Sequence, residues 1–122
     1  MPLVVRALRG ATTVDADVPE QISSRITELL TTMLEQNGLS HDDLISIMFT
    51  ATGDLVSMFP AAAARVMGLG DVPLICAREL DVVGSIPRCL RVLVHVMTDR
   101  ARDELHHVYL EGARGLRDDL PE

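Results

Sequence analysis

The sequence has no lysine and no tryptophan. All eleven of its cationic side chains are arginine, and its only rings apart from histidine are Phe49, Phe59 and Tyr109. Without lysine, Schiff-base catalysis and the lysine-dependent phosphate loop are excluded. With so few rings the core must be aliphatic, so any ring in a polar setting needs a reason. Cysteine is also scarce. Cys76 and Cys89 have the spacing of neither a metal ribbon nor a disulfide framework, which leaves two reduced thiols as the expectation for a cytoplasmic protein. No apolar run is long enough to span a membrane, and Met1-Pro2-Leu3-Val4-Val5-Arg6 lacks the apolar stretch of a signal peptide, so no membrane partner is expected. Positive charge is in deficit as well: a net charge of −7 argues against nucleic acid as a partner.

What remains is 122 residues, 48% hydrophobic and 24% charged, the balance of one globular domain over 1–122 with a core that needs no staples. Val5, Ala7 and Arg9 alternate with Val4, Arg6 and Leu8 in a strand running to Thr13, so Arg9 and Arg6 fall on opposite faces. Asp17, Pro19 and Glu20 read as a cap, a first-turn proline and an acid at the positive helix end. Ile22, Ile26, Leu29, Leu30, Met33 and Leu34 then form one helical stripe, which Asn37-Gly38 ends. A capped turn at 40–43 leads to a strand over 44–52, with Ile45, Ile47 and Phe49 on one face and Met48 and Thr50 on the other. Pro60 opens a short helix over 61–67. Strands follow at 72–77, 88–98 and 106–110, the second having the clearest alternation of all. The order β-α-β-α-β-β-β predicts an α+β domain: one mixed five-stranded sheet with the long helix packed on one face, and one short helix.

A few residues stand out against this frame. Arg91 lies mid-strand among Leu and Val, where a half-buried guanidinium needs a partner, and Glu79 is the natural candidate. That pair reads as a structural ion pair, a subunit contact or an anion site. Cys76 ends an apolar strand, where a cysteine is usually a small core residue. His106-His107 is a poor metal motif, because neighbouring strand residues point to opposite faces. Phe59 stands at the mouth of the short helix with Arg65 beyond it, and Arg9 precedes Gly10, a residue that allows close approach of backbone or ligand. Tyr109 reads by itself as an edge residue with its hydroxyl in water. Together these arginines, one carboxylate, one thiol and one phenol could hold a small polyanion. They offer no nucleophile–base pair, metal cage or phosphate loop.

In sequence order, Arg6-Ala7-Leu8-Arg9-Gly10-Ala11-Thr12-Thr13-Val14, Ala51-Thr52-Gly53-Asp54-Leu55, Phe59-Pro60-Ala61, Ala77-Arg78-Glu79-Leu80-Asp81-Val82, Cys89-Leu90-Arg91-Val92 and His106-His107-Val108-Tyr109-Leu110 resemble the motifs of the trimeric chorismate mutases, the class distinct from the all-helical one. The likeness runs from about residue 3 to residue 120. It implies a homotrimer with a pseudo-α/β-barrel core and sites at the subunit interfaces. It also implies the cofactor-free, metal-free rearrangement of chorismate to prephenate, on the way to phenylalanine and tyrosine. By resemblance Arg91 is the cation beside the ether oxygen, and Glu79 accepts the ring hydroxyl and orients Arg91. Arg9, Arg65 and Tyr109 hold carboxylates, Cys76 bonds near the hydroxyl, Phe59 forms a wall, and Arg117 belongs to a tail, from about 115, expected to be mobile.

A pericyclic step accounts for the missing covalent machinery, since a unimolecular rearrangement needs a held conformer and a well-placed charge. Three residues depart from the family pattern: Ala62 where many relatives carry lysine, Ile75 where threonine is common, and Gly53 in place of a proline. None is in the expected set of contacts. Two other readings use the same arginines: a non-catalytic trimeric module that binds small carboxylates, and a trimer in which they are interface ion pairs. No separate domain for feedback control is visible, so none by phenylalanine or tyrosine is expected.

Overall fold

The computed structural model describes residues 2–116. Its principal elements are β1 (Val4–Thr13), α1 (Pro19–Gln36), β2 (Leu44–Ala51), α2 (Pro60–Ala64), β3 (Leu74–Arg78), β4 (Cys89–Thr98) and β5 (Val108–Tyr109). The five strands form one mixed sheet in the order β3-β2-β4-β1-β5. The central β4 runs antiparallel to both neighbours, while β3 and β5 pair in parallel at the edges.

One face of the sheet carries Leu8, Ile47, Phe49, Leu90, Val92, Val94 and Val96, all buried beneath Ile22, Ile26, Leu29, Leu30 and Met33 of α1. The predicted helical stripe and the period-two strand pattern thus meet as a single aliphatic core around Phe49. Gly10 allows α1 to approach this closely: a Cβ there would lie 2.5 Å from the Met33 sulfur and 3.1 Å from Val92 Cγ2, so the methionine side chain would have to shift. The opposite face is open. Val5, Met48 and Ile75 are exposed there, and among the described residues no helix covers them.

Several boundaries differ from the sequence expectation, each for a local reason. Asp17 does not cap α1; Val18 occupies the cap without a side-chain bond. The Asp17 carboxylate instead accepts the backbone N–H groups of Val56 and Ser57 at 3.0 and 3.1 Å, tying the loop after β2 to the start of α1. The Ser57 hydroxyl and these amides hold that carboxyl below its ordinary pKa. The short helix keeps regular geometry only to Ala64. The next turn, Arg65–Leu69, is wider and contains Gly68 at φ +94°. β3 starts at Leu74, two residues late, because Pro73 has no N–H to give and serves only through its carbonyl, which accepts from Ile47 N at 3.0 Å. β5 shrinks to two residues because the backbone of His106 is claimed elsewhere and Glu111 turns the chain at φ +52°. The capped turn at His41–Asp43 is as expected, closed by reciprocal Ser40 and Asp43 bonds.

Candidate active site

The strand registers place the polar residues of the open face in rows. Ala77, Thr50, Arg91, Ala11 and Tyr109 lie side by side across all five strands. The neighbouring row is Ile75, Met48, Leu93 and Arg9. Arg9, Met48, Thr50, Glu79, Arg91 and Leu93 line a hollow of about 260 Å³. Its floor is rigid, because the three contributing strands β1, β4 and β2 are the central ones of the sheet.

Arg91 faces Glu79 as expected, with its Nε 3.4 Å from Glu79 Oε2. Nε is buried and makes no hydrogen bond, so the contact is an ion pair that leaves bonding capacity unused. The side chain is nevertheless 42% exposed, so its outer part faces the hollow. Glu79 is held from two sides. Thr50 donates its hydroxyl to the same Oε2 at 2.7 Å, and Glu79 N–H extends the edge ladder to Ala51 C=O at 2.9 Å. Oε1 has no partner among the described residues. Cys89 lies two residues before Arg91 on the same face, where burial pushes its thiol pKa up against the pull of the Arg91 charge and keeps it neutral. The entry to β4 is fixed as well. Arg88 adopts φ +48°, its N–H is held by Asp54 at 3.0 Å and its carbonyl accepts from Val14 N at 3.0 Å.

Tyr109 is not the wet edge residue its strand pattern suggested. It is 6% exposed, packs with Ala11, Ala113 and Leu116, and has a buried hydroxyl with no partner among the described residues. Ala11 lies between it and Arg91 in the same row. Among the described residues nothing bonds or pairs with the guanidinium of Arg9 or of Arg65.

The remaining candidates lie apart. Phe59, 70% exposed at the start of α2, lines a second hollow of about 550 Å³ with Leu55, Met58, Ala62, Cys76 and Arg78. Cys76 is the register partner of Phe49 and packs against the core, on the other face of β3 from Glu79. Arg65 is exposed on the wide turn after α2, beside Gly70. Arg117 lies outside the described residues. One chain therefore gathers Arg9, Arg91 and Glu79 at one hollow and Phe59 and Cys76 at another.

The family model for chorismate mutase type I matches residues 5–120. This chain belongs to that family. It is 51% identical to chorismate mutase AroH of Thermus thermophilus over 118 residues, covering 96% of this chain and 97% of that one. It is 40% identical to chorismate mutase AroH of Bacillus subtilis over 119 residues, covering 97% and 94%. In three dimensions it is similar to the solved chorismate mutase from Clostridium thermocellum, with a TM-score of 0.88, 49% identity and coverage of 89% and 97%. Against this family background, the residue that sequence reasoning missed is Thr50. Alternation had placed it on the open face, but nothing local to β2 announces that it meets Glu79 from another strand.

Proposed function

We infer that this chain is a chorismate mutase, an isomerase that rearranges chorismate to prephenate without a covalent intermediate. The observation that carries the mechanism is the Thr50–Glu79–Arg91 arrangement beside an Arg9 guanidinium that has no partner among the described residues. In this reading Arg91 stabilises the negative charge that grows on the ether oxygen as the bond breaks. Glu79 holds Arg91 through Oε2 and keeps Oε1 for the substrate's ring hydroxyl. Arg9, Arg65 and Tyr109 bind the two carboxylates, and a buried phenol without a partner among the described residues is the kind of donor such a group would satisfy. Phe59 walls the ring, Cys76 bonds near the hydroxyl and Arg117 adds a further substrate contact. The catalysis is conformational restriction of a flexible dianion plus a preorganised cation.

The two hollows lie on different sides of the β3 edge, so one copy cannot complete this set. In our reading three copies related by a closed rotation bring the Phe59–Cys76–Arg65 side of one to the Arg9–Arg91–Glu79 floor of the next. The uncovered apolar residues Val5, Met48 and Ile75 on the open face support that assembly.

The test is loss of chorismate absorbance with purified protein and with Arg91→Ala, each checked by gel filtration. Rapid wild-type conversion to prephenate, with an inactive variant of unchanged oligomeric state, is the expected outcome. A folded wild type that converts nothing overturns the enzyme reading in favour of a carboxylate-binding trimer.

A further inference from the structure

We propose that His107 is a positioning residue for Arg9: its imidazole closes the edge of the sheet ladder and fixes the backbone from which the Arg9 guanidinium reaches a substrate carboxylate. The proposal rests on the reading of Arg9 as a carboxylate-binding group. Its starting point is a bond of 2.9 Å from the backbone N–H of Arg9 to Nδ1 of His107.

The ladder between β1 and β5 is short, pairing only Gly10 with Val108 and Ala11 with Tyr109. Ala11 presents its carbonyl to the β5 side, where it accepts from Leu110 N at 2.9 Å. Residues two apart in a strand present their backbone groups to the same side, so Arg9 also directs its N–H toward β5. In the continuing register the residue opposite Arg9 is His107, one step before the strand begins. The imidazole supplies the acceptor there. Without it that N–H would lose its partner in a half-buried position. An accepting Nδ1 carries a lone pair, so the ring is neutral with its proton on Nε2.

His107 is itself placed by a clamp. Asn37, buried at the end of α1, accepts from His106 N at 2.7 Å through Oδ1. It donates from Nδ2 to His106 C=O at 2.9 Å, and also to the Met33 carbonyl at 2.8 Å. Both backbone groups of the preceding residue are thus pinned to the helix. The chain of contacts runs from the α1 terminus through His106 and His107 to Arg9. It ends beside Gly10, where the strand has no side chain of its own to stiffen it.

The experiment compares His107→Leu, His107→Asn and Arg9→Ala, with KM and kcat for chorismate and the exchange rate of the Arg9 amide by NMR. Asparagine keeps an acceptor at the δ position; leucine does not. His107→Leu should accelerate exchange of the Arg9 amide and raise KM about three- to tenfold, the worth of one neutral hydrogen bond, with kcat little changed. His107→Asn should restore both. A second signature in the wild type is a ¹⁵N spectrum with an unprotonated Nδ1 and a protonated Nε2. Unaltered Arg9 exchange in His107→Leu, or equal losses in the leucine and asparagine variants, overturns the proposal. If Arg9→Ala leaves KM unchanged, the carboxylate role of Arg9 falls, and the exchange rates still decide the contact on their own.

Discussion

The two faces of the sheet are built from the same strands and differ by one residue of register, yet they obey different rules. On the face beneath α1, Leu8, Ile47, Phe49, Leu90, Val92, Val94 and Val96 exclude every charge. On the other, Arg9 shares its row with Met48, Leu93 and Ile75, and Arg91 and Glu79 line the same hollow beside it, so charge and apolar surface are interleaved. A half-buried cation is tolerated only when something answers it. Arg91 has Glu79, whereas the Arg9 guanidinium has no partner among the described residues. Stability and chemistry are thus separated by the thickness of one strand, and substitutions should separate them too.

The largest expected effect is on the core face. Phe49→Ala should cost about 3–5 kcal/mol of stability, because removing the fully buried ring beneath α1 leaves a cavity that its aliphatic neighbours fill poorly. Urea unfolding measures it, and the fraction still folded should keep its turnover. Arg91→Ala should do the reverse: kcat falls on the order of 10²–10³-fold, equivalent to roughly 3–4 kcal/mol in the barrier. Its melting temperature should move little, because the ion pair it breaks is partly exposed. A large loss of stability with activity per folded molecule intact would put Arg91 among the structural pairs.

Smaller effects sharpen the comparison at its margins. Asn37→Leu removes three hydrogen bonds and strands the backbone of His106, so a loss of about 1–3 kcal/mol is expected in denaturant unfolding. Asp54 gives the smallest, and it is visible only through pH. The Thr52 hydroxyl, together with the Arg88 amide, keeps its carboxyl below the ordinary value of 3.8. A lowered folded-state pKa stabilises the protein above that value, and the contribution is lost as acid protonates the group in both states. The stability gap between wild type and Asp54→Asn should therefore be present near neutrality and close in acid. A gap unchanged by acid would mean that the charge of Asp54 contributes nothing.

How much of this was legible in the sequence follows the same division. The core stripe of α1 and the alternation of β4 are local periodicities, and both were readable. The Arg91–Glu79 pair was readable as a need, since a mid-strand guanidinium asks for a carboxylate. Its companion Thr50 was not, because register between non-adjacent segments is set by the whole sheet. Asp17 failed as a cap for a related reason: the loop bearing Val56 and Ser57 offered its carboxylate better donors than the helix did. Tyr109 was misjudged by its strand pattern alone. Being last in the sheet does not make it exposed, because the turn at Glu111–Ala113 folds back over it. The separation of Phe59 and Cys76 from Arg9 and Arg91 had no signal in the order of motifs, which says nothing about which face each one occupies.

Gly10 has a further consequence, in terms of which sequences the fold permits. The Met33 sulfur occupies the place where a side chain at position 10 would begin, so the two positions are not independent. Alanine at 10 requires the Met33 side chain to shift or to shorten, and a shorter residue at 33 alone leaves a hole behind Gly10. In homologous sequences these two positions should change as a pair, although 22 residues of chain lie between them.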